Sequence, residues 1–130
     1  RKVNDAKPFW VIDKVKIAVA DFLQARPDKI EKEVVIACFG IAFKPDIDDL
    51  RESPALNIVD AVSQFHSGAV NIVEPNIIEL PINLKNCNLV SATEALKTSD
   101  INVLLVDHKE FRNMNLSAFN FIDTKGIVKK

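Results

Sequence analysis

Along residues 7–24 apolar side chains recur at the three- and four-residue intervals of a helix. Val11, Val15, Ala18 and Phe22 form one stripe and Ile12, Val19 and Leu23 the next, with Phe9, Trp10 and Ile17 widening the surface. Pro8 suits a first turn. So wide an apolar face predicts a helix with two burial partners, and self-association of the chain through it. The polar stretch from Ala25 to Glu33, which holds Pro27, reads as a linker. From Val34 the period changes. Val34 to Phe39 is an unbroken apolar run stopped by Gly40, the pattern of a strand covered on both faces. Ser53 and Pro54 then suit the cap and first position of a helix with Ala55, Leu56, Ile58, Val59, Val62 and Phe65 on its inner side, ended by Gly68. Further strands are expected at 69–73, 101–106 and 119–122. Ser91 and Glu94 form a capping box for a helix running to about Thr98, and Asp107 to Glu110 repeats that signature before Phe111. Residues 75–90 carry no plain period and read as a long loop with a short strand near Leu89 and Val90. Strands alternating with helices predict an α/β, Rossmann-like doubly wound parallel sheet with right-handed crossovers, preceded by one helix. The chain divides into residues 1–33, helix and linker, and residues 34–130, the sheet domain.

Composition narrows the function classes. At 130 residues and 48% hydrophobic content the chain can bury a real core. Seventeen basic residues against 18 acidic ones argue against a nucleic-acid or membrane surface, so any site for an anion must be local. No apolar stretch reaches the ~18 residues of a membrane span. Cys38 and Cys87 have no metal-type spacing and read as free thiols of a cytoplasmic protein. The chain opens at Arg1 in mid-pattern without an initiator Met, as expected of a processed or excised piece.

In open α/β sheets ligands bind beyond the carboxyl ends of the strands. After the first strand comes Gly40-Ile-Ala-Phe43-Lys44-Pro-Asp46-Ile-Asp48-Asp49-Leu-Arg51-Glu-Ser53-Pro54-Ala55. Its single Gly does not make the GxGxxG fingerprint of a dinucleotide site. It does place Lys44 and Arg51 near a helix amino terminus, which suits an anionic ligand. This run resembles the signature of the UDP-glucose and GDP-mannose dehydrogenase family, G-x-A-F-K-x-x-T-x-D-x-R-E-S-P, with Ile47 where Thr is frequent. Val73-Glu74-Pro75 resembles the family's YDP, His108 to Arg112 its EW-x-EFR, and Asp123-Thr-Lys125-Gly126 its DGRN or DTRG end. The forms at 106–111 and 123–126 resemble the branch acting on UDP-N-acetylmannosamine more than the one acting on UDP-glucose.

The resemblance implies the carboxy-terminal UDP-sugar-binding domain of an NAD-dependent 6-dehydrogenase. Such enzymes oxidise the sugar C6 alcohol to a carboxylate in two NAD-dependent steps through a thiohemiacetal on a Cys. It implies that Phe43, Lys44 and Lys125 contact the UDP-sugar, that Arg51 reaches the bound NAD, and that residues 1–33 come from the end of a middle, dimerising domain, giving a homodimer. Lys125 stands where the family has an Arg and lacks its bidentate fork. Neither cysteine has the context of the catalytic one, so this chain is expected to be inert alone. Read without the resemblance, Lys44 is a solvated turn residue and Arg51 a helix-flanking partner for Asp48 or Glu52, with Asp48 and Asp49 as loop charges that hold it. His66 reads as a helix-end residue and His108 as a first-turn residue with no carboxylate or Ser placed to make it a catalytic base. The rival reading is a receiver-like phosphoacceptor domain, with Asp48 and Asp49 on Mg²⁺, Asp107 as acceptor and Lys125 at the last strand end.

Overall fold

A computed structural model describes residues 2–42, 46, 50, 53–84, 86–117, 119 and 121–125, with the backbone alone for residues 2–9 and 83. Strands β1 (Ile36–Phe39), β2 (Val70–Val73), β3 (Cys87–Leu89), β4 (Ile101–Leu104) and β5 (Phe121–Asp123) form one all-parallel sheet in the order β3-β2-β1-β4-β5. Helices α1 (Lys2–Ala25), α2 (Pro54–Phe65), α3 (Ala92–Thr98) and α4 (Lys109–Arg112) accompany it.

The period-two alternation of β1 divides the core. Ile36 and Cys38 point to the face covered by α1 and α2, where they meet Val11, Val15, Ile58, Val59, Val62, Ile72 and Val103. Ala37 and Phe39 point to the other face, with Ala95 of α3 and Phe111 of α4. There Phe39 packs edge-on against Phe111 and Phe121, at centroid distances of 5.4 and 5.1 Å. Helices on both faces of a parallel sheet are the doubly wound architecture the pattern predicted.

Several expectations are corrected. Both stripes of α1 find their partner within the chain: Val11, Val15 and Val19 are buried, and Ile12, Ala18, Phe22 and Leu23 pack against the same core. Residues four apart on a straight helix drift across one face, so the two stripes form a single broad one. Trp10 and Ile17 stay exposed, at 49% and 57% of their surface. α1 also starts before Pro8, which therefore lies inside the helix and leaves one carbonyl without its usual N–H. Val34 and Val35 precede β1 because other groups take their backbone. Val35 N–H donates to Asp100 Oδ2 at 2.9 Å, and its carbonyl accepts from Asp100 N–H at 2.8 Å. His66 does more than end α2: it is buried, and its Nε2 donates to the Val34 carbonyl at 2.6 Å. The stretch 75–90 resolves into a 3-10 turn at Ile82–Leu84 and strand β3, and residues 31–33 of the linker form another such turn.

Candidate functional site

The strand order reverses between β1 and β4, so the chain leaves these neighbours toward opposite faces of the sheet. This is the switch point at which open α/β sheets bind ligands. The turn after β1 is forced by Gly40, whose φ is +92°. A Cβ there would lie 2.6 Å from Val106 Cβ and 3.0 Å from Val106 N and O, so the missing side chain admits the segment leaving β4.

Beyond Gly40 the turn is filled by a protein anion. Glu74, directly after β2, accepts at Oε1 from Ile41 N–H (2.8 Å) and Ala42 N–H (3.2 Å), and at Oε2 from Asn76 N–H (3.2 Å). In a dinucleotide site, turn amides of this kind receive a phosphate. Here a carboxylate has taken them, and Val106 closes off Gly40. The turn does not fit a dinucleotide pyrophosphate. The far end of the connection to α2 is tied back by Ser53, the N-cap of that helix. Its Oγ lies 2.8 Å from the Ile41 carbonyl and 3.1 Å from that of Ala42, and accepts from Leu56 N–H at 3.2 Å.

His108, which follows β4, is fully buried against this carboxylate. Its Nε2 lies 3.0 Å from Glu74 Oε1 and 2.9 Å from Oε2, while its Nδ1 is 2.8 Å from the backbone N of Asp46. A backbone N–H can only donate, so Nδ1 carries the lone pair and Nε2 the proton. The imidazole is neutral and donates to Glu74. Burial alone would raise the Glu74 carboxyl, but the bonds from His108, Ile41 and Asn76 together hold it below its ordinary value. Asp46 sits in the left-handed region, φ +66°, and its Oδ1 accepts from Lys109 N–H at 2.7 Å. The loop after β1 is therefore joined to the start of α4 through both backbone and side chain.

Neither Glu74 nor His108 had been singled out for this role, and His108, read from the sequence as a first-turn residue, is instead buried against the Glu74 carboxylate. The available signal was position: an acid and a His each stand at the end of a buried parallel strand. The cap expected of Asp107 is also corrected. His108 occupies the cap position of α4, Asp46 satisfies the first amide, and Asp107 pairs with Arg112. Lys125 follows β5 at the same rim, exposed, with its N–H donating to Asp123 Oδ1 at 2.9 Å. Two strand spacings from β1 put it roughly 10 Å along the sheet. Phe43, Lys44 and Arg51 lie outside the described residues, as do Asp48 and Asp49. A cleft of about 370 Å³ between α1 and the sheet, lined by Phe22, Asp100, Ile101 and Phe121, opens where β4 and β5 begin, at the rim opposite this loop.

Known proteins supply the comparison. Residues 37–130 match the UDP binding domain of the UDP-glucose/GDP-mannose dehydrogenase family. The UDP-N-acetyl-D-mannosamine dehydrogenase of Escherichia coli (strain K12) is 53% identical over 131 residues, covering 98% of this chain and 31% of that protein. The NDP-N-acetyl-D-galactosaminuronic acid dehydrogenase of Ralstonia solanacearum is 48% identical over 130 residues, 98% of this chain and 29% of that protein. A solved structure of UDP-N-acetyl-mannosamine dehydrogenase from Staphylococcus aureus superposes with a TM-score of 0.72 at 29% identity, covering all of this chain and 29% of that one. The chain thus spans 29–31% of the length of these relatives. The phosphoacceptor reading finds no support: its acceptor, Asp107, is engaged by Arg112, and the matched family is of another kind.

Proposed function

We propose that this chain, which belongs to the UDP-glucose/GDP-mannose dehydrogenase family and carries its UDP-binding domain, holds the UDP end of a nucleotide sugar for an NAD-dependent 6-dehydrogenase. The match of residues 37–130 to that domain is the observation that carries the reading. The geometry agrees with it: Gly40, where the connection to α2 begins, lies at the switch point, and Lys125 stands at the same rim.

In this reading Lys44 and Lys125 supply point charges to the diphosphate, and Phe43 offers an apolar surface beside them. Arg51 reaches the NAD, which accepts hydride when bound. The Glu74-filled turn has no place for the NAD pyrophosphate, so the rest of that cofactor belongs to polypeptide beyond these 130 residues. The catalytic Cys belongs there as well, and this chain alone oxidises nothing. The sugar is N-acetylmannosamine, taken to its uronic acid, a reading supported by the name of the 53%-identical relative and by the residue forms at 106–111. Two buried free thiols, Cys38 and Cys87, favour the cytoplasm, and a homodimer is assembled through the portion joined to α1.

Calorimetric titration tests the assignment. UDP should bind in the millimolar range, weakly because the rest of a closed site is missing. Lys44→Ala should weaken it further, and NAD alone should give no comparable heat. Equal affinity for UDP in the wild type and in the Lys44→Ala, Lys125→Ala double variant would overturn it.

A further inference from the structure

His66, at the end of α2, is held so that one of its ring nitrogens has nothing to bond. Its Nε2 lies 2.6 Å from the Val34 carbonyl, which can only accept. Nε2 therefore carries the proton, and Nδ1 of the neutral ring presents a lone pair. The ring cannot turn out of this arrangement. Its side chain is fully buried, and Gly68 lies so close that a Cβ there would come within 2.7 Å of Nε2 and 2.4 Å of the Val34 oxygen. Among the described residues Nδ1 meets no hydrogen-bond partner. It faces the Glu31 carboxylate at 3.7 Å, beyond hydrogen-bonding distance. Two acceptors, one of them negatively charged, look into the same space.

That space is a cleft of about 320 Å³ between the second half of α1, Glu31 and the end of α2. Val19, Ala20 and Leu23 of α1 and Phe65 of α2 give it apolar walls. Lys16 lines it too, but its ammonium stands over the Phe65 ring, 5.0 Å from the centroid, and is not paired with Glu31. One water occupies about 10–15 Å³, whereas sites for small organic molecules start near about 300 Å³ and join apolar walls to a few convergent polar groups. We infer that this cleft is a binding site for a small primary ammonium with a short apolar tail. The ammonium donates to His66 Nδ1 and to Glu31, while the tail lies against Leu23 and Phe65. An anion would meet the Glu31 charge and a lone pair, so the acceptors select a cationic donor. The cleft opens where α2 ends and Val34 leads into β1, at the rim opposite the carboxyl ends of the strands. It is thus apart from the nucleotide reading and does not rest on it.

Titration of the 130-residue chain with n-butylammonium at pH 8, followed by nitrogen-15 NMR, tests the site. Saturable shifts should appear at Glu31, His66 and Ser67 in the millimolar range, with the His66 Nδ1 resonance moving and Nε2 keeping its proton. 1-Butanol, with the same tail and no charge, should bind at least tenfold more weakly, and butyrate should leave these residues unmoved. His66→Gln keeps a donor for the Val34 carbonyl and removes the Nδ1 acceptor. It should bind butylammonium roughly fivefold more weakly, the worth of one hydrogen bond. Glu31→Gln removes only a charge, from a half-exposed side chain, and should weaken binding roughly tenfold. That variant decides the matter even where His66→Gln fails to fold. No saturable shift at tens of millimolar butylammonium, an equal response to all three probes, or unchanged affinity in Glu31→Gln would overturn the inference. So would an Nδ1 already protonated in the free chain at pH 8, because it would then be bonded to Glu31 and closed to a guest.

Discussion

Replacing Glu74 with Gln changes one atom and reaches most of the structure beneath the loop. The carboxylate is buried and receives Ile41 N–H at 2.8 Å, Ala42 N–H at 3.2 Å, Asn76 N–H at 3.2 Å, Asn76 Nδ2 at 3.3 Å and His108 Nε2 at 2.9 Å. A Gln oxygen can keep Ile41 and Ala42, but its NH₂ then faces the Asn76 donors. Hydrogen bonds to a charged group contribute about 1.5–3 kcal/mol each, and a buried donor left unmet costs about 1–3 kcal/mol. One unmet donor and the lost charge together make about 3 kcal/mol at neutral pH. For a chain of this size that is roughly 10 °C in Tm. Urea unfolding gives the difference directly, and its pH dependence has a definite sign. The folded Glu74 carboxyl is held low, so its contribution is complete above the unfolded value, about 4.3, and disappears as pH falls through the folded value. The gap between wild type and Glu74→Gln should therefore be widest at pH 7 and narrow below about pH 4. A cost under about 0.5 kcal/mol at pH 7, within the ordinary range of surface changes, would refute the reasoning. So would a gap that does not narrow in acid.

Three other outcomes follow from the packing. Gly40→Ala must place a Cβ 2.6 Å from Val106 Cβ at φ +92°, and should cost about 2 kcal/mol or more in urea unfolding; a neutral effect would mean that Val106 moves freely. Val15→Ala on α1 should cost about 2–3 kcal/mol, because Val15 is fully buried beneath the helix; a cost near zero would mean that α1 is not docked on the sheet. Burial, with Cys87 nearby, pushes the Cys38 thiol up to about 12, so a thiol reagent at pH 8 should label it only after unfolding. Prompt labelling of Cys38 in the native chain would contradict the core described here.

The sheet was legible because buried parallel strands write themselves as apolar runs: β1, β2 and β4 lie within Val34–Phe39, 69–73 and 101–106. Edges were less legible. β3 is Cys87–Leu89, three residues at the sheet margin with an exposed Asn88, too short and too polar to stand out. The ends of β1 and β4 were overrun because an apolar run does not reveal where the regular ladder stops: Val35 N–H goes to the Asp100 side chain, and Leu105 and Val106 N–H share the Phe39 carbonyl. At the site, the sequence pattern singled out Phe43, Lys44, Arg51 and Lys125, of which Lys125 lies among the described residues. It missed the buried polar groups at the strand ends, because Glu74, His108 and Asp46 are far apart in the chain and meet only when β2, β1 and β4 lie side by side. The two stripes of α1 were read correctly, but Trp10 and Ile17 beside them stay exposed, and the surface that covers the stripes was not legible: amphipathicity gives the area to be buried, not the surface that buries it.

We propose that residues 40–53, which follow β1, and residues 123–126, which begin at the end of β5, receive the UDP group. Amide chemical shifts followed during a UDP titration of the 130-residue chain test it most directly. Saturable shifts should cluster at residues 40–53 and 123–126, with His108 and Lys109 moving beside them and the α1–β5 cleft around Phe22 and Asp100 silent. Shifts centred on that cleft, or none at tens of millimolar UDP, would contradict the claim.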